Sequence, residues 1–260
     1  MNGASADRLP AFFFGHGSPM NALERNRYTD AWRDAVVALP RPRAILAVSA
    51  HWYVRGTRVT AQARPPTIHD FGGFPPELHA FDYPAPGDPA LAARVCDLLA
   101  PDPVRLDEGW GLDHGTWSVL AHAFPEADVP VVQLALDGTA PPHEHLALAR
   151  RLRPLRDEGV LIVGTGNVVH NLRAMRREPA APAFDWAVRF EERVTAAALA
   201  GDDAALIDLD AAGRDAAASV PTPEHYLPFL YAYGAGGGAA AVVVRGIEAA
   251  SIGMLAMRFD

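Results

Sequence analysis

Short apolar runs bounded by turn residues alternate along this chain with longer segments of helical spacing, the pattern of a layered α/β domain. Strands are expected over Ala11 to Phe14, Ala44 to Ser49, Thr57 to Gln62, Val129 to Leu134, Val160 to Val163, Ala239 to Val244 and Ile252 to Met257. Several are apolar throughout, as in a sheet covered on both faces. Helices are expected over Leu23 to Leu39, Pro89 to Leu99, Thr116 to Ala123, His143 to Arg156, Asp185 to Leu199 and Glu224 to Tyr233. Asp88 before Pro89 marks one start, since the aspartate can cap the first turn and proline fits its opening position. With 260 residues, 50% of them hydrophobic, the chain can bury a real core, and residues 1–260 are read as one domain.

One long irregular stretch, Ala63 to Asp88, interrupts the alternation. Its aromatics Phe71, Phe74, Phe81 and Tyr83 predict an ordered loop packed on something, because disordered linkers carry few such residues. The run Gly234 to Gly238 reads as a flexible turn before a strand. No repeat or linker divides the chain.

Charge and composition remove whole classes of function. A net charge of -8 supplies no clustered positive surface for phosphate neutralisation, so no nucleic-acid partner is expected. There is no lysine: all 23 basic residues are arginine. Schiff-base chemistry, a pyridoxal-phosphate enzyme and a phosphate loop with its lysine are therefore excluded. The single cysteine, Cys96, has no internal disulfide partner and reads as a core residue. No leader-like segment opens the chain and no stretch approaches a membrane span, so a cytoplasmic location and no membrane partner are expected.

Ten histidines decide little by number, but their positions are informative. His16 follows Ala-Phe-Phe-Phe-Gly, His51 follows Ala-Ile-Leu-Ala-Val-Ser-Ala, and His170 follows Leu-Ile-Val-Gly-Thr-Gly-Asn-Val-Val. Each stands just past the carboxyl end of an expected buried strand, the edge of an open α/β sheet where ligands bind. Taken singly, such a histidine is more often a hydrogen-bonded polar residue than a ligand. Three delivered to one edge from distant positions point to one site, with nitrogen and oxygen donors for a metal. His114, between Gly111 and Gly115 and beside Asp113, is a further candidate. His143 and His145, near a helix start beside Glu144, read as a solvated face; His122 fits a helix side; His69 and His79 lie in the long loop without an assigned role.

Other motifs fail. Gly164-Thr165-Gly166-Asn167 starts like a dinucleotide fingerprint, but Val169 stands where the third glycine belongs. Ser18 lacks a nucleophile-elbow context, and His143-Glu144-His145 has the wrong spacing for two imidazoles on one helix face.

Gly15-His16-Gly17-Ser18-Pro19-Met20, Ser49-Ala50-His51-Trp52, His69-Asp70-Phe71-Gly72-Gly73-Phe74, Asp113-His114-Gly115, Gly166-Asn167-Val168-Val169-His170-Asn171 and Pro221-Thr222-Pro223-Glu224-His225 together resemble the DOPA 4,5-extradiol dioxygenase family. That family belongs to the class III, LigB-like ring-opening enzymes. The resemblance runs nearly end to end and in order. It implies a three-layer α/β/α sandwich with a central mixed sheet and a mononuclear non-haem iron(II) site, Fe(2+), whose place Zn(2+) can take in purified material. It makes His16 and His51 metal ligands. The third is His225 or, as in the two-histidine, one-carboxylate triad of the wider superfamily, its neighbour Glu224, with His225 favoured. His170 then resembles the histidine that moves protons near bound oxygen, and His114 one that binds or polarises substrate.

The implied reaction opens a catechol, DOPA or another para-substituted ring, with dioxygen. Both ring oxygens and dioxygen need positions on the metal, so three protein ligands on one face suffice. The Phe71 to Tyr83 loop is expected either to cover the ring or to pack on the domain. An arginine facing the site would indicate a carboxylate on the substrate. A zinc hydrolase using the same histidines, and a non-catalytic binding or signalling protein on the same fold, are the competing readings. Oligomeric state is not legible.

Overall fold

The computed structural model describes residues 8–260 apart from 177, 179 and 180. Its strands are β1 (Ala11–Gly15), β2 (Ala44–Val54), β3 (Arg58–Thr60), β4 (Arg105–Asp107), β5 (Val131–Asp137), β6 (Val160–Gly166), β7 (Ala240–Val244), β8 (Ile247–Glu248), β9 (Ile252–Gly253) and β10 (Ala256–Phe259). Eight of them form one sheet in the order β4-β3-β5-β2-β6-β1-β10-β7, and β8 pairs with β9. The centre is parallel, β5 with β2, β2 with β6 and β6 with β1, while β10 runs antiparallel to β1 and to β7. The expected mixed sheet is present.

Alternation along the strands divides the core between two faces. Phe13, Leu46, Val132 and Ile162 join one apolar cluster with residues of the helices Pro89–Leu99, Asp185–Ala200 and Leu227–Gly236. Phe12, Phe14, Ile45 and Leu161 join the other with Trp32, Val36, Trp117 and Leu120 from the helices Arg27–Val37 and His114–Ala123. Successive side chains point to opposite faces of a strand, so an all-apolar strand needs a helical layer on each side. That requirement produces the three layers.

Most departures from the sequence reading have local causes. The helix expected from Leu23 starts at Arg27, because Asn26 and Thr29 form a reciprocal capping box there. The segment His143 to Arg156 divides into Pro142–Arg151 and Pro154–Asp157, since Pro154 can neither donate its hydrogen bond nor tolerate the preceding turn's carbonyl. Gly234 to Gly236, read as flexible, complete a buried helix that stops at Gly237 in the left-handed conformation. The expected strand Ile252 to Met257 is two strands, β9 and β10. Strands β4 and β8 and the helices Pro76–His79, Asp203–Ile207 and Gly213–Ser219 are too short for their periodicity to register. Among the described residues no helix is long and apolar enough to cross a membrane.

Gly166, at the end of β6, shows how closely the layers meet. A Cβ there would lie 2.2 Å from the backbone oxygen of His225, and that oxygen accepts from the backbone N–H of Asn167 at 2.9 Å. Gly166→Ala is expected to force the His225 segment off the sheet and cost about 1–3 kcal/mol. The urea midpoint should fall and bound metal should fall with it.

Candidate metal centre and active-site cavity

The strand ends deliver the histidines in three ways. His16 follows β1 directly, where its N–H donates to the oxygen of Gly166 and its carbonyl accepts from Asn21 Nδ2. Gly17, next to it, takes φ +60, a left-handed turn that glycine enters without strain. His51 lies inside β2 rather than beyond it. The pairing of β2 with β5 jumps from Val48↔Leu134 to Tyr53↔Leu136, so Ser49 to Trp52 have no partner in β5, and this irregularity carries His51 into the site. His170 stands four residues past β6 and bridges to Ile252.

His225 arrives from the segment that precedes the helix Leu227–Gly236. Its ring lies 5.5 Å from that of His16 and 5.1 Å from that of His51, and it stacks on His170 at 3.5 Å. His16, His51 and His225 each offer a ligand atom, all within 4.8 Å of one another. Nε2 of His16 and Nε2 of His51 are 3.2 Å apart, about the edge of a coordination polyhedron with bonds near 2.1 Å. Nδ1 of His16 is buried without a hydrogen-bond partner. Burial, reinforced by the neighbouring imidazoles, holds His16 and His225 well below the usual histidine pKa. Both rings are therefore neutral at pH 7 and able to ligate. A cation among these converging nitrogens would be held by their lone pairs. The donor set fits a transition-metal ion.

Asp70 is the residue the sequence reading passed over. Its carboxylate accepts from His51 Nδ1 at 3.1 Å, from His114 Nδ1 at 2.9 Å and from the His114 N–H at 3.0 Å. Burial alone would raise its pKa, but the hydrogen bonds from His114 and His51 hold it well below the ordinary carboxylate range. The same contact raises His51 against the opposing effect of burial. An imidazole with one nitrogen on a carboxylate and the other facing a metal position is the usual arrangement around bound metals. On that geometry Asp70 and His114, which lie within mutual ligand range of His51, form an outer support behind the His51 ring. The available signal was Asp70's place in His69-Asp70-Phe71, within the loop singled out for its aromatics.

Glu224 plays the corresponding part for His225. It accepts from His225 Nδ1 at 3.2 Å and from Thr222 Oγ1 at 2.8 Å. This leaves Nε2 of His225 for the centre, and His170, Glu224 and His225 also lie within mutual ligand range.

A cavity of about 430 Å³ opens over the cluster, lined by His16, His51, His114, His170 and His225 and by apolar side chains that include Phe71, Phe74 and Ile252. His170 is pushed down to about 4, chiefly by burial, so its ring is neutral at pH 7. The long loop packs on the domain and also lines the cavity. Phe81 stacks on Trp117 at 5.0 Å and the Tyr83 hydroxyl donates to Phe124, while Phe71 and Phe74 reach the cavity. No arginine lines the cavity among the described residues, so the residue that would have indicated a substrate carboxylate is not found among them.

The remaining histidines divide otherwise than expected at one position. His145 is fully buried, with Nδ1 3.2 Å from the Tyr231 hydroxyl; helical spacing turns it inward while His143 stays exposed. His122 contacts the oxygen of Asn21 and His69 that of Phe81. Cys96 is partly buried at the margin of one apolar cluster.

Residues 11–259 match the family described as the catalytic LigB subunit of aromatic ring-opening dioxygenase. The chain belongs to the LigB family. It is 50% identical to the 4,5-DOPA dioxygenase extradiol of Escherichia coli (strain K12), over 98% of this chain and 96% of that protein. It is 38% identical to the protein of the same name from Beta vulgaris, over 87% and 86% of the two chains. The crystal structure of an uncharacterized protein from Escherichia coli K12 superposes with a TM-score of 0.85 at 45% identity, covering 97% of this chain and all of that one. The LigB-like three-layer fold and membership among the extradiol ring-opening dioxygenases are thereby established.

Proposed function

We propose that this LigB-family enzyme opens the ring of a catechol, DOPA or another para-substituted one, with dioxygen at an iron(II) centre held by His16, His51 and His225, residues 1–260 acting as one catalytic unit. The observation that carries this reading is three neutral-capable imidazoles converging within 4.8 Å beneath an apolar cavity wide enough for a substituted ring. Bound iron(II) supplies the redox chemistry that unites catechol and dioxygen.

The protein's own side chains do the rest. Asp70 and Glu224 orient His51 and His225 by accepting from their outer nitrogens. His170, neutral at pH 7, accepts the proton that a catechol hydroxyl must lose and can return it later. His114, fixed at Nδ1 by Asp70, offers its other nitrogen to the cavity, where it can accept a hydrogen bond from a ring hydroxyl. Phe71, Phe74 and Ile252 exclude water from the ring and strengthen each polar contact beneath it.

Protein reconstituted with iron(II) and given a catechol in air should consume oxygen and form a yellow ring-cleavage product. A chelator should abolish both, and iron(II) should restore both. Neither signal across several catechols, or hydrolytic turnover with zinc under nitrogen, would sink the proposal.

A further inference from the structure

We propose that Glu248 reads the substrate's side chain as an ammonium group, so that the enzyme favours catechols carrying a primary amine on a short alkyl chain; this rests on the ring-opening reading above. Glu248 pairs directly with Ile252 across β8 and β9, and Ile252 in turn bridges to His170. Directly paired residues project to the same face, and His170, Ile252 and Glu248 all line the cavity. Two strand spacings separate the ends of this row, about 10 Å, which matches a catechol ring followed by a two- or three-carbon chain. A ring placed against His170 thus runs its substituent over Ile252 and ends it at Glu248.

The charge at that end has one sign. Glu248 is the sole carboxylate among the described lining residues. Arg27 acts on it only at longer range, as its guanidinium is engaged by the Tyr28 hydroxyl at 2.6 Å and the Arg245 carbonyl at 3.3 Å. Burial raises the Glu248 pKa, as expected for a half-buried carboxyl that forms no salt bridge among the described residues. An ammonium would supply the missing partner through a charge-assisted hydrogen bond, whereas a substrate carboxylate would meet a like charge.

The test compares an ethylamine-substituted, a propionate-substituted and a methyl-substituted catechol by calorimetry on zinc-loaded protein under nitrogen. The unaltered protein should bind the amine about 10-fold or more tightly than the acid, and Glu248→Gln should lower the amine-to-methyl affinity ratio about 10-fold. Glu248→Asp should recover part of that ratio. An unchanged ratio in Glu248→Gln, or a preference of the unaltered protein for the acid, would overturn the proposal. Oxygen uptake on the same three catechols judges the ring-opening reading separately: amine-selective binding without uptake on iron(II) protein would refute that reading and uphold the role of Glu248.

Discussion

Replacing His225 with alanine is expected to leave a folded protein that no longer holds metal and shows no oxygen uptake, whereas Glu224→Gln should keep the metal with weaker affinity. The two residues are neighbours in sequence, and either could have completed the ligand set. The proposal assigns them by their contact: Glu224 accepts from Nδ1 of His225, which leaves Nε2 of that ring for the metal. Losing an outer partner typically costs 10–100-fold in metal affinity; losing a direct ligand should cost more than about 100-fold by the same scale. Metal content after dialysis against a graded chelator distinguishes them. If Glu224→Gln lost metal while His225→Ala kept it, the assignment would be reversed.

His170→Gln should retain metal and bind catechol, yet lose about 10²- to 10⁴-fold in kcat, the usual contribution of a positioned acid–base group. The ring is neutral at pH 7 because burial pushes its pKa down to about 4. Its packing face to face on His225 at 3.5 Å fixes where its nitrogen can receive a proton. Glutamine preserves much of the volume and some hydrogen bonding but cannot take up that proton. Single-turnover measurements with iron(II) protein should therefore show normal substrate binding followed by slow ring opening. A variant that turned over at the unaltered rate would remove His170 from the chemistry.

Periodicity made the strands legible, because a sheet covered on both faces demands uninterrupted apolar runs, as in Ala44 to Val48 and Val160 to Val163. It failed where tertiary contacts overrode local pattern. Gly234 to Gly236 resemble a loop by composition, yet they close a helix because that helix is buried and needs small residues where Phe259 approaches Gly236. His145 resembles surface by its charged neighbours, and only the helix's rotation against Tyr231 turns it inward. His16, His51 and His170 were legible from their positions at expected strand ends, His114 from its glycine neighbours, and His225 only from the family resemblance. Asp70 and Glu248 were not, because each is placed by a residue distant in sequence: His51 and His114 contact Asp70, and His170 joins Glu248 through their shared partner Ile252. Such pairings exist only once the sheet has formed.

Asp70 sits in the same loop as Phe71 and Phe74, and it touches a residue of the metal cluster. If His51 holds a metal as proposed, order in that loop and occupancy of the metal position are linked through the Asp70 contact. By reciprocity, whatever factor the metal contributes to holding the loop in place, the settled loop returns to the metal's affinity. A substrate that presses the aromatics down would then tighten the protein's grip on its own metal for as long as the ring remains bound.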